Sequence, residues 1–181
     1  MKKLMFILAA AVATATVQAA SVSWTCTNVK DGDGNAINGI AYFVNAATLS
    51  QSDASAFTKA SDWTTALDGM YSYTPATAGK YTSAAVDNAT LGLSDATASS
   101  AYLVIFDTAT ITDASHYYMT EVKSFDTYGG TETASVKWGS QSTASQAAGA
   151  WTSVTGSVPE PTSGLLMLVG LAGLALRRRR A

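Results

Sequence analysis

Apolar and polar positions alternate along much of this chain with the two-residue period of strands that have one buried face. Residues 21–29 set Val22, Trp24 and Cys26 against Ser23, Thr25 and Thr27, which predicts a half-buried strand. A second strand is expected around Ile40 to Val44. From Ala101 to Phe106 the chain is almost continuously apolar, as in a strand covered on both faces. Residues 116–125 read as one further strand, Val136 and Trp138 share a face in the next, and a short last strand is expected near Trp151 to Val154. Residues 128–132, Tyr-Gly-Gly-Thr-Glu, read as a hairpin turn. Between the second and third strands Phe57, Ala60, Trp63 and Leu67 recur at helical intervals, with Gly69 placed to end the run, so one helix or two short ones fit there. The pattern predicts a mainly β fold, a small antiparallel β-sandwich with a short helical insertion, in preference to an α+β roll.

The two ends follow a different pattern. Lys2 and Lys3 precede an uncharged, mostly apolar run from Leu4 to Val17, and small residues follow, which is the layout of a secretory signal peptide cut between Ala19 and Ala20. At the other end Gly164 to Leu176 carries no charge and stops at Arg177, Arg178, Arg179 and Arg180. As a helix this run spans roughly 20 Å, and about 24 Å counted from Pro161. That is marginal against a hydrocarbon core of about 30 Å, unless the arginine stems bury themselves while their heads reach phosphates. Arginines beyond the apolar end stay cytoplasmic and put the body outside, the same topology that the signal peptide gives. The expected organisation is a signal peptide at 1–19, a β-rich extracytoplasmic domain at 20–139, a flexible Ser/Ala/Gly-rich stem at 140–157 and a terminal segment at 158–181, with a signal helix and a membrane helix flanking the fold.

Val158, Pro159, Glu160 and Pro161, followed by a Leu/Gly-rich run and a terminal arginine cluster, resemble the PEP-CTERM sorting signal of exported bacterial proteins. The resemblance covers only residues 158–181. It implies that Pro159, Glu160 and Pro161 are the recognition motif of an exosortase-like membrane transpeptidase, that Leu165 to Leu176 is the membrane segment, and that Arg177 to Arg180 is the stop. It also implies a destination at the cell surface or in an extracellular polysaccharide matrix. The chemistry suits the role, because two prolines around Glu160 keep the segment extended and leave one carboxylate for a cationic pocket.

Charge narrows the partners. Setting aside Glu160, the two N-terminal lysines and the four arginines leaves twelve acidic residues against five lysines in 20–156, a formal charge of −7. With no arginine and no basic stripe, the body is no nucleic-acid binder. Cys26 is the only cysteine, so no intrachain disulfide forms, and it is expected as a small buried strand residue.

Candidate chemistry is sparse. Asp31, Asp33 and Asn35 have the spacing of the first three EF-hand ligands, but Ala36 and Tyr42 stand where the loop needs Gly and a bidentate Glu. A looser calcium loop remains as a reading beside an ordinary turn. His116 is the only histidine, and a triad written from His116, Asp113 and one of many serines lacks a nucleophile elbow. Asp107, just past the doubly covered strand, sits where catalytic groups often do. No catalytic residue, cofactor or metal is assigned. Trp24, Trp63, Trp138 and Trp151, with Tyr71, Tyr73, Tyr117 and Tyr118, serve either as core or as a sugar-stacking face. The leading expectation is a non-enzymatic exported or surface-sorted protein; a carbohydrate-binding module and a hydrolase are the alternatives.

Overall fold

The computed structural model describes residues 19–155. The expected signal helix, membrane helix, sorting motif and arginine stop lie outside the described residues, apart from Ala19 and Ala20 at the boundary. Among the described residues no helix is long and apolar enough to cross a membrane.

The fold is mainly β, with two sheets and a few short helices. In the first sheet β1 (Ser21–Thr27) lies between β4 (Lys80–Asp87) and β8 (Thr133–Ser140). The second runs β3 (Ser72–Tyr73), β2 (Ala41–Asn45), β5 (Ala98–Phe106), β6 (His116–Met119) and β9 (Trp151–Ser153), and β7 (Lys123–Asp126) also pairs with β5. Two helices, α1 (Gln51–Ala54) and α2 (Ala60–Ala66), fill the expected insertion between β2 and β3. A third, α3 (Ser142–Ser145), follows β8.

Strand alternation sorts the side chains into two cores. Val22, Trp24 and Cys26 of β1 and Val136 and Trp138 of β8 meet Phe43 of β2 and Leu103 and Ile105 of β5. The intervening residues of the second sheet, Val44, Tyr102, Val104, Phe106 and Tyr117, pack instead with Ala54, Ala60, Trp63 and Leu67 of the helical insertion. This is why β5 is apolar at consecutive positions: one face meets the first sheet and the other meets the helices. Trp63 anchors the helical side, with ring centroids 4.5 Å from Tyr117, 5.1 Å from Phe57 and 5.6 Å from Phe106. Gly39 lets the chain entering β2 pass against β5, because a Cβ there would overlap the Phe106 carbonyl.

Four expectations are corrected. The sandwich is not wholly antiparallel, since β1 and β8 run parallel over Ser21–Thr27 while β1 and β4 are antiparallel. The strand expected over residues 116–125 is two, β6 and β7, both on β5. Between them Thr120 Oγ1 accepts a bond from the Leu103 amide, and a side chain thus takes the place of a ladder carbonyl. Residues 128–132 do not close a hairpin: β7 belongs to the second sheet and β8 to the first, so the turn carries the chain across. The stem is also folded as far as Thr155. Gln141, Ser145 and Val154 are buried, and β9 pairs with β6. Composition suggested a linker, but tertiary bonds hold it: Lys30 N–H donates to Ser145 Oγ at 3.0 Å, and Trp151 Nε1 donates to the Lys30 carbonyl at 2.9 Å.

Candidate functional site

The segment 146–151 forms one wall of a cleft of about 700 Å³, and the loop 31–37 and the β5–β6 junction supply the others. The cleft brings together residues that are far apart in sequence: Asp31, Asp33, Asp107, His116, Gln146 and Trp151.

The loop wall is built by Asp31. An isolated bridge joins Lys30 to Ala36, and inside it Asp31 Oδ1 accepts from the amides of Asp33 at 3.0 Å and Asn35 at 2.8 Å. Its Oδ2 accepts from Asn35 Nδ2 at 3.0 Å. The Asn35 side-chain amide, with backbone donors of the loop behind it, holds the Asp31 carboxyl below the ordinary carboxylate range. Both oxygens are engaged by the loop's own donors, the usual bonding of an Asx-type turn. Among the described residues no group of three or more His, Cys, Asp and Glu side chains is placed to hold a metal ion.

Strand pairing builds the second wall. Asp107 follows β5 and His116 begins β6, so the turn of that pairing brings them together, with Asp107 N–H donating to the His116 carbonyl at 3.1 Å. Asp107 Oδ2 lies 3.4 Å from His116 Nδ1, and Oδ1 accepts from the Ser115 amide at 3.0 Å. The imidazole side chain is 48% exposed and faces water beside a half-buried carboxylate. Asp113, the other candidate partner for His116, accepts from Thr110 Oγ1 instead. Hydrogen bonding within the described residues gives His116 a carboxylate but no serine or threonine hydroxyl.

Trp151 supplies the aromatic surface. It packs at 5.7 Å between ring centroids against Tyr118, whose hydroxyl donates to Gln141 Oε1 at 2.7 Å. Burial pushes the Tyr118 phenol up to about 12, so it stays neutral and serves as a fixed support. Trp151 itself is only partly buried.

The other aromatic candidates do not form a sugar-stacking face. Trp24, Trp63, Trp138, Tyr117 and Tyr118 are buried, and they cross their neighbours at steep or tilted angles instead of lying coplanar at the surface. With few Leu and Ile available, these rings supply the bulk of the core. Tyr71 and Tyr73 stand at the β3 edge, partly buried against the inter-sheet core. Cys26 is buried too, and loss of water pushes its thiol up to about 12.

Known proteins inform the C-terminal end alone. A family model described as the PEP-CTERM protein-sorting motif matches residues 157–180. That motif implies export, recognition by an exosortase at the membrane and placement at the cell surface. No curated protein and no solved structure matches the chain.

Proposed function

We propose that the chain is a non-enzymatic protein of the bacterial envelope or extracellular matrix, delivered outward by its N-terminal signal sequence and processed by an exosortase-like enzyme at Pro159, Glu160 and Pro161. The observation that carries this reading is the sorting-motif match over residues 157–180. Before processing, Arg177 to Arg180 stay on the cytoplasmic side and hold the apolar run in the inner membrane, with the folded body on the outer side.

Ala20, the residue after the bond where the signal peptidase is expected to cut, is buried just ahead of β1. The last isolated bridge, Lys59 to Thr155, comes two residues before the matched motif.

The reading is tested by fractionating cells that express either the full chain or a chain ending at residue 156. The full chain is expected at the cell surface and the shortened one in the periplasm or medium. The same location for both would overturn the proposal.

A further inference from the structure

We propose that the cleft between the Asp31 loop, the Asp107–His116 pair and Trp151 is a binding site for one uncharged pyranose unit of a polysaccharide. The inference rests on the proposal that the body faces an extracellular matrix, and it names the ligand class the body would hold there.

Three features of the cleft fit such a ligand. Its volume of about 700 Å³ lies within the range of small-molecule sites. Trp151 is the one tryptophan of the described residues that is not fully packed away; it is braced by Tyr118 on one side, and its indole nitrogen is fixed on the Lys30 carbonyl. A ring held in this way offers the C–H face of a sugar a flat apolar partner at little entropic cost. Around it stand planar polar groups suited to paired hydroxyls: the Asp33 and Asp107 carboxylates accept, and the Gln146 amide both donates and accepts. Gln146 is exposed at the rim of the cleft, where its Nε2 stands beside Gly34, 3.0 Å from the place a Cβ there would take.

Charge selects among sugars. Three aspartates line the cleft and neither lysine nor arginine does, so uronates, sulfated sugars and phosphorylated sugars meet repulsion there. A neutral pyranose gains the same hydrogen bonds without that penalty.

The test is binding of the full chain in detergent to an array of neutral gluco-, galacto-, manno- and xylo-oligosaccharides beside polygalacturonate and sulfated glycans. At least one neutral series is expected to bind. Gln146→Ala should weaken it by about fivefold or more, and Trp151→Ala should abolish it. Trp151→Phe should retain it within a few-fold, and Tyr128→Ala, at a different exposed ring, should leave it unchanged. If Trp151→Ala does not fold, Gln146→Ala decides the matter. Absence of neutral binding, binding confined to acidic glycans, or binding unaffected by Gln146→Ala would each overturn the proposal. Delivery to the surface is read separately by the fractionation of shortened chains, so either reading can fail alone.

Discussion

Trp151 Nε1 donates a 2.9 Å hydrogen bond to the main-chain carbonyl of Lys30, across 121 positions of sequence. That bond joins the last described strand to the loop after the first and closes the two walls of the cleft on each other. Trp151→Phe keeps the packing on Tyr118 but leaves the carbonyl unpaired, and it should cost about 1 kcal/mol in urea unfolding with the slope unchanged. Trp151→Ala also loses the packed ring and should cost about 3 kcal/mol.

Two neighbouring tryptophans of the inter-sheet core differ in one bond. Trp138 Nε1 donates to the Glu121 carbonyl at 2.8 Å, whereas the buried Nε1 of Trp24, with its ring centroid 6.3 Å away, has no partner. Replacing Trp24 with Phe removes a donor that has already lost its water; replacing Trp138 with Phe takes the 2.8 Å donor from the Glu121 carbonyl and leaves it the longer 3.3 Å bond from Thr120 Oγ1. The Trp138→Phe chain should therefore be the less stable of the two by about 1 kcal/mol. Chemical denaturation of both variants checks the order.

Gly39 has no room for a side chain. A Cβ would overlap the Phe106 carbonyl oxygen and come within 2.9 Å of the Thr108 amide nitrogen, all of it backbone that belongs to the central strand and its exit. Gly39→Ala is expected to cost about 3 kcal/mol or more, by forcing β2 away from β5. A thermal melt within a few degrees of the parent would contradict this.

Acid should weaken the cleft loop before the core. The Asp31 carboxyl is held low, chiefly by the Asn35 side chain, so the folded chain binds that proton less readily than the unfolded chain. Its contribution is complete above the ordinary carboxylate range and is lost as pH falls through the lowered value. Asp31→Ala should therefore be less stable than the parent near neutral pH, with the gap closing as the pH drops below that range. Urea midpoints across an acid series give the comparison, and a gap that stays constant with pH would refute the loop assignment.

Much of the fold was legible because burial leaves a period. The alternation of Val22, Trp24 and Cys26 marked β1, and the unbroken run before Asp107 marked a strand with two covered faces, now seen between the first sheet and the helices. Pairing direction leaves no such trace: nothing in Thr133 to Ser140 distinguishes a parallel neighbour from an antiparallel one. β4 was missed because outward Lys80, Thr82 and Ala84 dilute its inward Tyr81 and Ser83. The cleft is not legible in the sequence as one site, although Asp31, Asp107, His116 and Trp151 are each candidates singly. What unites them is a nine-residue return from β5 to β6 and a Ser/Ala-rich segment whose composition resembles a linker. Ser145 and Gln141 of that segment are buried because backbone groups meet their polar atoms, the Lys30 amide on Ser145 Oγ and the Trp138 carbonyl on Gln141 Nε2, and composition carries no trace of such pairing.

The central claim is that residues 157–180 are a processed sorting address, and the intact mass of the protein released from the cell surface tests it most directly. The account predicts a chain that begins at Ala20 and lacks Arg177 to Arg180. A surface-located chain whose mass includes all four arginines would contradict it.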